Sequence, residues 1–204
     1  RRFPKFKNKF VYIPFAIDTN FWSKNKETLR KKILFIGNDG RRDYKKVIDI
    51  AKKLPEYEFV FITSQINAQE KLSKNVELVE GHWNLSKLTD KQIRNYYEDA
   101  KLTIIPLIDS FQPSGQSVAL QSMSMEVPVL ISETKGFWDK NDFLQKKDIF
   151  YLEDNSLNNW VETIKDLYEN EKLLNEVSNN AKEKIDNNYE LYSFYEGIKK
   201  VLNL

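Results

Sequence analysis

Apolar residues fall into two patterns that alternate along most of the chain. Short continuous runs bounded by Gly, Pro or polar clusters recur at Lys32-Ile-Leu-Phe-Ile-Gly37, Tyr57-Glu-Phe-Val-Phe-Ile-Thr63, Val76-Glu-Leu-Val79, Leu102-Thr-Ile-Ile105, Pro128-Val-Leu-Ile131 and Ile149-Phe-Tyr-Leu152. Such runs suit strands covered on both faces. Between them apolar residues return at helical spacing: Val47, Ile50, Ala51 and Leu54, then Leu88, Ile93, Tyr96, Tyr97 and Ala100, then Val118, Leu120, Met123 and Met125. Asp43 is placed to open the first of these helices, and Thr89 or Asp90 the second. The alternation predicts an α/β fold, a doubly wound parallel sheet of about six strands joined by right-handed crossovers. After Leu152 the pattern is wholly helical: Leu157 to Tyr168, Leu173 to Ile185 and Tyr192 to Leu204, with Asn-rich breaks at 158–159, 179–180 and 187–188. Ahead of the first sheet strand, Phe10-Val-Tyr-Ile-Pro14 reads as a strand entering an irregular linker, and Lys24 to Lys32 as a solvated charged run. Residues 1–31 are thus expected to be a linker segment, and 32–204 the domain itself.

The segment Leu102 to Ser132 carries the candidate chemistry. Its order of strand, polar loop, helix and strand is one parallel crossover, with the loop at the carboxyl end of a strand, where open parallel sheets bind ligands. A helix opening on Ser114-Gly115-Gln116-Ser117 offers unpaired backbone N–H groups to an anion. Arg41, Arg42 and Lys45 crowd a second strand-to-helix turn, after Gly37, where phosphate is favoured by the side chains and the helix end alike. A solvated basic turn is the plain alternative. Ser132 to Asp139 forms a loop at the same edge, in which Gly136 would permit close approach of backbone to a ligand. His82, after Gly81 at the end of the third run, is a lone loop histidine, more often structural than ligand-binding.

Composition narrows the chemistry. The 204 residues are 41% hydrophobic and 30% charged, enough for one soluble globular domain with a continuous core. A net charge of +2 leaves no global footprint for nucleic acid. With no cysteine and one histidine, thiolate metal sites, disulfides, histidine metal centres and catalytic triads are disfavoured, and no metal site is expected. No run approaches a membrane span, and the basic start has no signal-like apolar core, so a cytoplasmic setting is expected. The chain opens on Arg1-Arg2-Phe3 without an initiating methionine and reads as an excised domain.

Several of these pieces, in order, resemble the carboxyl-terminal, nucleotide-sugar-binding domain of the retaining family 4 (group 1) glycosyltransferases, which have the two-lobed GT-B fold. Val11-Tyr-Ile-Pro-Phe-Ala-Ile-Asp-Thr-Asn-Phe21 is similar to the family's interdomain segment. Ile33 to Gly37 followed by Lys45 looks like the strand, Gly, basic turn and Lys that open its second lobe. Asn75-Val-Glu-Leu-Val-Glu-Gly81, Tyr96-Tyr-Glu-Asp-Ala100 and the spacing of Pro128-Val129 from Gln121 extend the likeness. The resemblance implies sugar transfer from a nucleoside-diphosphate donor with retained configuration, without cofactor or essential metal. It assigns the diphosphate to Lys45, to Arg41 or Arg42, and to the backbone of Ser114 to Ser117. It implies a glycan or lipid-linked acceptor held mainly by an amino-terminal lobe, expected to be absent here, which would leave this domain inactive alone. Peripheral membrane association of the full-length protein, at the cytoplasmic face, would follow from such an acceptor.

The departures from the family pattern lie at its chemistry. The positions of the family's two glutamates hold Pro113 and Gln121, and the Gly two residues before Pro-Val is Glu126. The Gln121 carbonyl can still accept a ribose hydroxyl, more weakly than a carboxylate. Gln112, Ser114, Gln116 and Ser117 are positioned to take over sugar contacts, with Asp109 the nearest acid and Gly37 close to the donor. The catalytic residue is therefore left unassigned. A non-catalytic domain on the same fold, or a lobe of a sugar-nucleotide epimerase, are the alternatives. A dehydrogenase-type site is disfavoured because no Gly-x-Gly-x-x-Gly follows the first strand.

Overall fold

The computed structural model describes residues 9–26, 28–67, 70–81 and 88–203. Six strands form one parallel sheet: β1 (Lys32–Ile36), β2 (Phe59–Ile62), β3 (Val76–Val79), β4 (Ala100–Ile105), β5 (Val129–Ser132) and β6 (Phe150–Leu152), in the spatial order β3-β2-β1-β4-β5-β6. The six helices are α1 (Tyr44–Lys53), α2 (Asp90–Asp99), α3 (Gln116–Ser124), α4 (Leu157–Glu169), α5 (Glu171–Asn188) and α6 (Leu191–Leu202). The expected doubly wound α/β architecture is present.

Continuous apolar runs were needed because both sheet faces are covered. Ile33 and Phe35 of β1 point to one layer, with Val47 and Ile50 of α1 and Trp160 of α4; Leu34 and Ile36 point to the other, with Tyr97 of α2 and Val118 and Leu120 of α3. Each fully buried side chain of this kind contributes about 1.5–3 kcal/mol. Helix α5 belongs to both layers, Leu174 and Val177 to the first and Ala181 and Ile185 to the second.

Local chemistry sets the helix ends. Asp43 caps α1, accepting from Lys46 N, and Thr89 forms a reciprocal capping box with Gln92 at α2. The far end of α1 is closed by Asn75, whose amide donates to the carbonyls of Ala51, Leu54 and Tyr57 at 3.1, 2.8 and 2.9 Å. Asn170 ends α4 and caps α5, while the 179–180 pair lies inside α5, where Asn180 turns outward to the Lys147 carbonyl.

The strand expected at Phe10–Pro14 does not form. Phe10, Val11 and Tyr12 stay exposed and pair with no strand; among the described residues the first sheet-like contact is an isolated bridge from Ile17 to Glu190. The residues that follow are packed rather than linker-like. Ile17 and Trp22 are buried, Trp22 meets Tyr97 edge-on at 5.9 Å, and its carbonyl accepts from Ser124 Oγ at 2.6 Å.

Candidate functional site

The chain leaves β1 towards β2 and β3, then returns to β4 on the other side of β1. The β1/β4 boundary is therefore the topological switch point, where loops diverge and leave a crevice. Two loops flank it, 37–43 after β1 and 106–115 after β4. They are tied together by Asp43 N to the Pro106 carbonyl, Ile108 N to the Arg41 carbonyl, both 2.9 Å, and an antiparallel bridge between Arg42 and Leu107. The second loop is further held from below by Asn155, which donates to the Leu107 carbonyl and accepts from Ser132 Oγ, while Ser132 Oγ accepts from Leu107 N.

Arg42 runs through the middle of this junction with only 3% of its side chain exposed. Its path lies against Gly37: a Cβ there would stand 2.5 Å from Nε and 2.6 Å from Cγ. Gly37 thus makes room for a cation. Nε donates to the Ile36 carbonyl at 3.3 Å, and Nη1 donates to Asp39 Oδ2 at 2.9 Å and to Ser114 Oγ on the opposite loop. Burial lowers the Arg42 pKa, opposed by the Asp39 charge. The neighbouring Tyr44 phenol is pushed up to about 12 by burial and then by the Asp39 charge.

Arg41 is exposed, and its guanidinium donates to Gln112 Oε1 from Nη2 at 2.9 Å and Nε at 3.3 Å. Ser114 therefore meets Arg42, and Gln112 meets Arg41. Gly115 begins α3 in the left-handed region at φ 81°, with Ile105 and Ile131 beneath its Cα, and no side chain caps α3. The backbone N–H groups of Gln116 and Ser117 open its first turn beside Ser114.

Other sequence-derived candidates lie differently. Lys45 is 87% exposed on α1 and donates to Asp49 at 2.5 Å, one turn further along the helix; that bond raises its pKa. Nothing bonds it to Arg41, Arg42 or Ser114 among the described residues. Asp109 is exposed and held by Lys135, whose backbone N–H at 3.3 Å and ammonium at 3.2 Å lower its pKa. Pro113 is exposed, and Gln121, on the second turn of α3, accepts from the buried Tyr97 hydroxyl at 3.3 Å through its carbonyl oxygen. That oxygen is the atom expected to face a ribose; it keeps a second lone pair, and the single phenol proton is shared with the Val118 carbonyl, also at 3.3 Å. Gly136 does allow a close approach, but to protein: a Cβ there would fall within 2.6–2.8 Å of the backbone of Ser110, Phe111 and Gln112. His82 lies outside the described residues.

Sequence reasoning missed Asn38, Asp39 and Asn155. Asn38 Oδ1 accepts from Ser64 N, Ser64 Oγ and Thr63 Oγ1, tying the β1 loop to the end of β2. Short polar residues in loops carry no periodic signal. An open cleft of about 630 Å³ beside Asp109, Glu133, Lys135 and Phe137 lies on the β5/β6 side of the crevice, and another of about 420 Å³ beside Thr63, Gln65 and Glu80 on the β2/β3 side.

Fold and site together define a Rossmann-like lobe whose switch-point crevice is lined by guanidinium, hydroxyl and helix-opening N–H donors. The chain belongs to the group 1 glycosyltransferases, whose family model, described as "Glycosyl transferases group 1", matches residues 16–184. Its fold is one lobe of the GT-B architecture. The carboxyl-terminal domain of LpcC, a group 1 glycosyltransferase of Francisella tularensis, superposes with TM-score 0.66 at 15% identity, covering 86% of this chain and 100% of that one. A glycosyltransferase of Rickettsia africae gives TM-score 0.76 at 13% identity, over 96% of this chain and 58% of that one. HepE of Anabaena, solved with UDP-glucose, gives 0.71 at 12% identity over 92% of this chain and 56% of that one. This chain thus spans little more than half the length of the last two. No match is found among curated protein sequences.

Proposed function

We propose that this domain binds the nucleoside-diphosphate sugar donor of a glycosyltransferase that moves the sugar to a glycan or lipid-linked acceptor with retained configuration. The observation that carries the reading is the junction at the switch point, where Arg42 and Ser114 meet across two loops beside the uncapped start of α3. A departing diphosphate gains negative charge, and fixed guanidinium groups and oriented N–H donors stabilise that charge with no reorganisation. In this reading Arg41, Arg42 and the N–H groups of Ser114 to Ser117 hold the diphosphate. Lys45, long and exposed, exchanges Asp49 for a phosphate oxygen. Gln121, with its oxygen on Tyr97, offers its NH2 to the ribose, while Asp109 and Gln112 face the sugar. No resident metal is called for.

The acceptor belongs to a second lobe across the crevice, and without it the domain is inactive. In this reading the reaction runs in the cytoplasm, at the membrane where the acceptor is lipid-linked. Pro113 and Gln121, standing where carboxylates are the rule, favour a second reading in which the domain binds a donor without catalysing transfer. Turnover by the full-length enzyme would exclude it.

Calorimetry with UDP and GDP tests the donor reading. Saturable binding is expected from one of them, and Lys45→Ala should weaken the diphosphate while leaving the nucleoside nearly untouched. Absence of heat with a folded sample at millimolar ligand would remove the reading, and equal losses for diphosphate and nucleoside would move the phosphate site elsewhere.

A further inference from the structure

Three of the residues assigned to the diphosphate already hold an anion. Asp39 lies in the turn after β1, and its carboxylate accepts from three groups: Arg41 N to Oδ1 at 2.8 Å, Arg42 Nη1 to Oδ2 at 2.9 Å, and Ser114 Oγ to Oδ2 at 3.0 Å. A backbone N–H, a guanidinium and a hydroxyl, drawn from both loops of the switch point, converge on one side chain. This is the donor set that a phosphoryl group would use. Asp39 fills it from the solvent side, with its side chain 48% exposed against 3% for Arg42.

We infer that the Asp39 carboxylate is an internal stand-in for phosphate that must leave its seat before a donor diphosphate can bind. The inference rests on the donor reading above. Two unit negative charges cannot share the Arg42–Ser114 seat, because like charges a few ångströms apart repel even in water. The turn has room to open. Gly40, next to Asp39, has no atom within 4 Å of where a Cβ would lie, so the turn projects into open space. On its loop side the turn is held by Tyr44, whose hydroxyl donates to the Asp39 carbonyl at 2.7 Å, and that bond does not involve the carboxylate. The carboxylate can therefore swing out while the backbone stays anchored. With no donor bound, Asp39 keeps the buried Arg42 charge paired; with donor bound, the diphosphate takes over that role. The plain alternative is that Asp39 only organises the loop, and it predicts an effect of opposite sign.

The test is calorimetric titration of the protein and its Asp39→Asn and Asp39→Ala variants with UDP, GDP, inorganic pyrophosphate and uridine at fixed ionic strength. Asn keeps the size and one acceptor but removes the charge, so a folded comparison is retained even if Ala loosens the turn. The expected result is pyrophosphate and nucleoside-diphosphate binding at least about fivefold tighter in Asp39→Asn, with uridine unchanged. Unchanged or weaker diphosphate binding in a folded Asp39→Asn variant would overturn the inference and leave the donor reading in place. Tighter pyrophosphate binding without any nucleotide binding would keep the seat and remove the donor reading. No binding of any anion by any of the proteins would remove both.

Discussion

Gly37 and Arg42 show how much a single residue pair decides here. The sequence marks Gly37 as the stop of an apolar run, which is correct, but its reason is the guanidinium beside it rather than the turn. Gly37→Ala should therefore act on the site and the fold at once. Displacing Arg42 costs about 1–3 kcal/mol in overpacking, readable in a denaturation midpoint. Losing its charge-assisted bond should weaken nucleoside-diphosphate binding about tenfold or more. A variant that loses stability but binds donor normally would show that Arg42 is a strut and not a ligand. Arg42 itself was legible only as one of three cations in a turn. Which cation is buried, which bonds Gln112 and which lies along the helix on Asp49 depends on side-chain paths across two loops. No spacing within one loop encodes such paths.

Elements were the most legible scale, because each is specified by its own period and caps. Asp43, Thr89 and the six apolar runs from Lys32 to Leu152 sit where the sequence places them, differing only at their ends, as at β4, which begins at Ala100. Phe10–Pro14 was misread because an apolar run marks strand propensity, not a partner with which the strand pairs. The end of α3 shows a pattern outlasting its residue. Glu126, at a position where the related pattern has Gly, still adopts the left-handed conformation at φ 56°. Val127 N bonds the Ser122 carbonyl at 2.9 Å and Glu126 N the Met123 carbonyl at 3.0 Å, the paired closure of a Schellman ending. Glu126→Gly should raise stability by about 1 kcal/mol by relieving that backbone strain, measured as a shift in the urea midpoint at constant slope. A fall in the midpoint would mean that the 3.6 Å pair of Glu126 with Lys24 outweighs the strain.

At the scale of the whole molecule, alternating strands and helices announced a parallel doubly wound sheet, and the sheet order then fixed the crevice between β1 and β4. What stayed illegible was the occupancy of that crevice by the protein's own groups, since Asp39, Asn155 and the Tyr97–Gln121 bond are long-range polar contacts with no periodicity. The crevice is open on both flanks, and the chain spans little more than half the length of the Rickettsia and Anabaena neighbours. The most direct test of a donor site at the switch point maps ligand onto the backbone. Amide ¹H–¹⁵N spectra recorded through a titration with UDP or GDP should show saturable shifts concentrated at Gly37, Arg41 and Gly115 to Val118, the two loops and the opening of α3. A separate cleft of about 420 Å³ lies beside Arg30, Lys101 and Glu126; saturating shifts centred there instead, or none with either nucleotide, would contradict a donor site at the switch point.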